Sequence, residues 1–365
     1  MPSDLLTQRM SELRRHVHGL AEPSGREQRT AAFLAELLAS CNPALLLSGM
    51  GGHGLAAEFR GGAPGPRLGL RAELDAVACG QGARHVCGHD GHLALLAGVA
   101  LHLAQRPLTR GSLVLILQPA EETGQGAAAF LADRRWSQIA PDMVFALHNL
   151  PGLPLGALAA RSGVMNLASV GLGARLRGAA SHAAQPAEGL SPAPALTGLL
   201  ARLPGLAGEG ELITLTHARL GEESFGVSPG EALLCATLRA PGDRSLSALR
   251  DRAARLVADL SAQNGLMHSL TWPEPFTVTR NHPVAVDALR RAAAALCLDF
   301  VEPEEPYPWS EDFGCFTAAA PGALFCLGAG ESCPALHSAD YVFPDQLLAR
   351  GLDLWLEVIS QVMGA

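Results

Sequence analysis

The chain has 365 residues, 48% of them hydrophobic and 17% charged, enough for a sizeable core spread over two domains and too apolar for global disorder. A formal net charge of -8 disfavours nucleic acid as a partner. All 27 basic residues are arginine, which excludes a lysine Schiff base and a P-loop lysine.

Met1-Pro2-Ser3-Asp4 opens a polar, amphipathic stretch without the apolar core of a signal peptide. No uninterrupted apolar segment reaches the roughly 18 residues of a membrane span. The expectation is a cytoplasmic protein with no membrane attachment. Its eight scattered cysteines then read mostly as small buried hydrophobes in a reducing compartment.

Helices are expected over 5–20 and 25–40. Four short apolar runs follow, each ending in polar chemistry. Residues 68–70 precede Arg71-Ala72-Glu73-Leu74-Asp75, and 112–117 precede Gln118-Pro119-Ala120-Glu121-Glu122. Residues 143–147 precede His148, and 323–327 precede the loop that carries His337. Continuous apolar runs suit strands buried on both faces, so the fold class is α/β, a mainly parallel sheet covered by helices. Ligands of such sheets sit beyond the carboxyl ends of the strands, so four runs deliver polar residues to one rim.

Residues 167–278 follow another pattern. Strands over 168–176, 213–220, 231–238 and 269–272 alternate with helices over 192–203 and 246–262. The order strand–helix–strand–strand–helix–strand is that of a ferredoxin-like α+β sandwich. The segment 167–278 is therefore expected as an inserted domain within a first domain of residues 1–166 and 279–365, which closes on an amphipathic helix over 346–363.

The densest chemistry is His85-Val86-Cys87-Gly88-His89-Asp90-Gly91-His92. In extended backbone Cys87 and His89 face the same way and can approach one metal. Gly88 and Gly91 allow close backbone approach, and 93–103 reads as a helix, so the string lies at a strand-to-helix turn. A buried cysteine beside a hydrogen-bonded histidine is the ordinary reading of an isolated Cys-Gly-His; here the surrounding cluster favours metal ligation. Glu121 and Glu122 reach one site only if the strand has ended, with one carboxylate on the metal and the other as general base. By themselves they could equally be an exposed pair at a helix start. His148 and His337 each read alone as structural, and His182, in Ala180-Ser181-His182-Ala183-Ala184, is uninformative alone. His16, His18, His53, His102, His217, His268 and His282 have no supporting cluster.

Taken together, these strings resemble the amidohydrolase branch of the aminoacylase–carboxypeptidase metallopeptidase family, which includes hippurate, N-acyl-amino-acid and auxin-conjugate hydrolases. The resemblance also covers Ser310-Glu311-Asp312-Phe313, Pro321-Gly322-Ala323-Leu324-Phe325 and Leu336-His337-Ser338, in family order over most of the chain. It implies a di-metal aminopeptidase-like catalytic domain with an inserted lid or dimerisation domain, and hence a homodimer. By position, Cys87, His89, Glu122, His148 and His337 resemble the ligands of two divalent ions, with Cys87 as a bridging thiolate. Zinc, manganese, cobalt and nickel all suit such donors. Glu121 resembles the general base, and His182 the lid histidine that reaches a neighbouring active site and steadies the oxyanion. Asp75, Asp90 and Asp312 read as carboxylates that orient histidines or loops. The implied substrates are N-acyl amino acids or similar small amides.

The chain departs from the family pattern at three points, one of them a short link from Asp75 to His85. Glu73 stands where an aspartate is usual, and Gly226-Val227-Ser228-Pro229 replaces Asn-Val-Ile-Pro. Arg239 could clamp a substrate carboxylate or simply be a strand arginine. A dipeptidase or carboxypeptidase on the same scaffold, a non-catalytic binding paralogue and a metal-free thiol hydrolase using Cys87 are the competing readings.

Overall fold

In the computed structural model, which describes residues 4–364, the four apolar runs become four neighbouring strands at the centre of one sheet. Arg110–Gln118, Ala63–Glu73, Met143–Pro151 and Gly322–Gly330 lie side by side in that order, all parallel. Gly54–Arg60 and Leu45–Met50 extend one edge antiparallel. Leu158–Ala159, antiparallel, and Phe300–Val301 extend the other. The central strands are buried on both faces, which is why their sequences are continuously apolar. Met1-Pro2-Ser3, read as the start of the polar N-terminal stretch, lies outside the described residues.

Helices cover both faces. His89–Gln105 is buried almost all round and packs against Asp4–Leu20, Gln28–Ser40 and Gln346–Met363. On the opposite face Gly126–Ala132, Trp136–Ile139 and Gly314–Ala319 bring Phe130, Trp136 and Phe316 into edge and tilted ring contact. Two elements run further than the sequence pattern suggests. The helix expected over 93–103 begins at His89, with Asp90 in its first turn, where the carboxylate accepts the N–H of Gly91 (3.0 Å). The strand expected to end before His148 continues to Pro151, so His148 projects from regular strand.

The chain divides into two compact units. The first, described above, takes in the chain up to Met165, Thr279–Glu305 and the chain from Glu311 on; the second is Asn166–Val278 with Pro306–Ser310. In the second, four antiparallel strands lie in the order Leu212–Leu220, Glu231–Ala240, Ala168–Arg177, Met267–Thr271. Along Glu231–Ala240 every second residue is buried, from Ala232 to Ala240, and this face packs on helices Ala193–Arg202 and Asp243–Gln263. Pro306–Ser310 is tied in by the hydroxyl of Ser310, which donates to the carbonyl of Leu167 (2.7 Å). Among the described residues no helix is long and apolar enough to cross a membrane.

Candidate metal centre

The centre lies entirely in the first unit, where the parallel strands end. Asp75, just past Ala63–Glu73, organises it. One carboxylate oxygen accepts the N–H of Glu121 (3.1 Å) and the other the N–H of Glu122 (3.0 Å) and the hydroxyl of Ser24 (2.7 Å). The chain can turn there because the strand stops at Gln118 and Ala120 adopts a positive φ of 52°. Both glutamates therefore face one site. The carbonyl of Asp75 accepts Nδ1–H of His89 (2.8 Å), which fixes the tautomer and leaves the lone pair of Nε2 pointing inward.

His148 is set the same way: its Nδ1 donates to the carbonyl of Asn149 (2.7 Å), and its Nε2 lies 3.5 Å from Sγ of Cys87. His337 arrives on the loop after Gly322–Gly330, in a left-handed conformation (φ 64°), its N–H bonded to the carbonyl of Val86 (2.8 Å). Its Nε2 lies 3.8 Å from Glu122. Donor atoms of Cys87, His89 and His148 lie within 4.8 Å of one another, as do those of Cys87, Glu122 and His337, and of His89, Glu121 and Glu122. Cys87 belongs to two of these groups, so the set fits a pair of adjacent ions.

The donors fit divalent metal on two further grounds. Nε2 of His89 and Oε1 of Glu122 are buried and have no hydrogen-bond partner among the described residues. They stand 3.7 Å apart, too far for a hydrogen bond and close to the separation of two atoms each about 2.1 Å from a shared ion. The electrostatics point the same way. Burial pushes the Cys87 thiol well up, and Glu122, Glu121 and Glu73 add to it. Burial likewise raises Glu121 far above the usual carboxylate range, with Glu311, Glu122 and Asp312 adding, and raises Glu122. His148 is lowered to about 3 by burial and by His92, so it presents a neutral ring. A bound cation reverses the penalty on the thiolate and the carboxylates.

Behind Glu121 lies a buried charge cluster around Arg71. Its Nε donates to Gln118 (2.8 Å), Nη1 to Glu311 (2.7 Å) and to Glu73, and Nη2 to Asp312 (2.7 Å). Asp312 also accepts from Gln118 Nε2 and from the N–H of Ala127 (2.8 Å). It therefore orients the loop that carries Glu121. Burial, against the pull of Arg71, lifts Asp312 to about 7. Glu73, one methylene longer than the usual aspartate, spans Arg71 on one oxygen and Nδ1 of His92 on the other (2.7 Å).

Asp90 has a different setting: it bonds Arg14 (3.0 Å) and His18 (2.8 Å) and anchors the helix start to Asp4–Leu20. His182 and Arg239 belong to the second unit. Arg239 donates through Nη1 to Ser310 (2.8 Å) and to the carbonyl of Pro308 (3.1 Å). His182 pairs with Val227 in a short ribbon, and its Nδ1 accepts the N–H of Ala184 (3.1 Å). Glu311, Asn149 and Tyr341, which carry no separate signal in the sequence, complete the surroundings of the centre.

A profile of the peptidase family M20/M25/M40 matches residues 69–361. The N-acetyl-L-cysteine deacetylase of Bacillus subtilis is 26% identical over 344 residues, covering 88% of this chain and 81% of that protein. The N-acetyldiaminopimelate deacetylase of Anoxybacillus flavithermus is 26% identical over 352 residues, covering 90% of each. The fold matches that of Bacillus subtilis YxeP, described as a dinuclear metal binding peptidase from the M20 family, with a TM-score of 0.81, 23% identity and 99% of both chains covered. The chain belongs to the peptidase family M20/M25/M40 and is a hydrolase of amide bonds.

Proposed function

We propose that this hydrolase cleaves the amide bond of N-acyl amino acids or similar small amides, with Cys87, His89, Glu122, His148 and His337 holding two divalent ions and Glu121 as general base. The observation that carries the reading is the pairing of Glu121 and Glu122 against His89. Nε2 of His89 lies 3.8 Å from Glu121 and 3.7 Å from Glu122, so both carboxylates reach the same donor; in this reading Glu122 binds metal and Glu121 moves protons. The names of the two deacetylases, both of which act on N-acetylated amino acids, support the substrate class.

Held by these residues, a pair of divalent ions would acidify a water and polarise the amide carbonyl. Glu121 takes the water proton on its carboxylate and returns it to the leaving nitrogen. In the metal-free chain its burial, with Glu311, Glu122 and Asp312 close by, raises its proton affinity. Because Nδ1 of His182 accepts a backbone N–H, its proton resides on Nε2, which suits it to donate to the developing oxyanion. In this reading the second unit serves as lid and dimerisation domain, and His182 completes the site of the partner in a homodimer. Zinc, manganese, cobalt and nickel are the candidate ions.

The test is a panel of N-acetyl, N-benzoyl and longer-chain acyl amino acids, assayed with each metal after the bound metal has been measured. Turnover of at least one of them by protein carrying two ions supports the reading. Protein fully loaded with metal that cleaves none of them contradicts it.

A further inference from the structure

Asn149 is fully buried and every polar atom it carries is engaged. Its carbonyl accepts from His148 (2.7 Å), and its backbone N–H and its Oδ1 both lie against Nε2 of His92 (3.1 and 2.6 Å). Nδ2 donates to the hydroxyl of Tyr341 (2.5 Å), itself buried. His92 is held in turn by Glu73, and Glu73 by Arg71. The side chain is thus fixed from both ends of its amide.

Its remaining side faces Gly88, the residue between Cys87 and His89. Gly88 has a φ of 96°, and a Cβ there would lie 2.2 Å from Oδ1 of Asn149 and 2.9 Å from the Tyr341 hydroxyl. The amide and the phenol therefore close directly over the Gly88 backbone. At this point the strand that carries His148 meets the turn that carries Cys87 and His89.

We propose that Asn149, backed by Tyr341, is a positioning residue that sets the spacing between Cys87 and His148. Its carbonyl turns Nε2 of His148 inward, and its amide holds the Gly88 turn so that Sγ of Cys87 comes within 3.5 Å of that nitrogen. A thiolate and an imidazole so placed take one thiophilic divalent ion between them. Truncation to alanine opens space over Gly88 and frees the turn, while aspartate keeps the volume, an acceptor for His92 and an acceptor for the Tyr341 hydroxyl. The inference rests on Cys87 and His148 being metal donors.

The test is a cobalt(II) titration of the full chain, followed by the absorption that a cobalt-bound thiolate produces and by ion stoichiometry, with melting curves of the metal-free proteins alongside. The wild type should bind two ions with thiolate absorption. Asn149→Ala should bind one of them about 10- to 100-fold more weakly, with the thiolate absorption lost or shifted. Asn149→Asp should keep both ions. Wild-type binding and absorption in Asn149→Ala overturns the inference, as does equal loss of both ions in the two variants in step with lost folding. If Asn149→Ala does not fold, Tyr341→Phe takes its place, with a shifted thiolate absorption expected and an unchanged one overturning the proposal. A wild type that binds two ions without thiolate absorption removes Cys87 from the donor set, so the reading beneath the inference fails first.

Discussion

Nε2 of His89 stands 3.7 Å from Oε1 of Glu122, both atoms are buried, and neither has a hydrogen-bond partner among the described residues. Such a pair is unfavourable until a cation joins it. A divalent ion that binds only the folded chain stabilises it by about 2.7 kcal/mol at a free concentration one hundred times its Kd. Chelation should therefore lower the calorimetric melting temperature by several degrees, and zinc or manganese should restore it. A melting temperature indifferent to chelator and to added metal would remove the physical basis of the site.

Among the described residues Arg71 is the one cation that meets Glu73, Glu311 and Asp312 together, all buried. Its replacement by methionine leaves three buried carboxylates uncompensated. Loss of one partner from a buried charge cluster costs about 3–5 kcal/mol, which denaturant unfolding of the metal-free protein should show. Arg71→Lys should also destabilise, because an ammonium cannot present the guanidinium fork that reaches Gln118, Glu311 and Asp312 at once.

How much of this was legible in sequence depends on how far apart the interacting residues lie. The central strands were legible because burial on both faces imposes continuous apolar runs on residues 68–70, 112–117, 143–147 and 323–327. The start of the helix at His89 was not, because the helix is buried all round and its first turn carries His89, Asp90 and His92, which break the apolar pattern. The extension of strand pairing past Leu147 was hidden by the polar pair His148 and Asn149. Glu311 reaches Arg71 across 240 positions of chain, and Asn149 meets Gly88 only through the fold. Nothing in the composition of Pro306–Ser310 marks it as part of the second unit; its hydrogen bonds to Leu167 and Arg239 do.

Glu22 provides a test by pH. Burial alone would raise its pKa, but N–H groups of Thr30 and Arg29 at the start of helix Gln28–Ser40, with the Arg29 and Thr30 side chains, more than offset this and hold it below 4.5. A carboxylate whose folded pKa is depressed stabilises the protein above its unfolded pKa, and that contribution fades as pH falls through the folded value. Glu22→Gln should therefore cost about 1–2 kcal/mol near pH 7. The gap from wild type should narrow steadily below pH 4.5. A gap that is constant or widens toward acid would show that the charge of Glu22 is not what caps this helix.

The proposed sharing of a site between subunits has its own test. A His182→Ala chain and a Glu121→Gln chain should each be inactive. Random mixing of equal amounts should restore about a quarter of wild-type activity, since half the dimers are mixed and each mixed dimer rebuilds one of its two sites. Verified mixed dimers without activity would place the action of His182 within its own subunit.

Glu121 bears the central claim, since it is buried next to Glu122 and 3.8 Å from Nε2 of His89. The most direct measurement is turnover of an N-acyl amino acid by Glu121→Gln, together with its bound metal. The account predicts two ions retained and kcat reduced by at least about 100-fold, the scale of a lost general base. Full turnover in that variant, or full turnover by wild type stripped of metal, would contradict it.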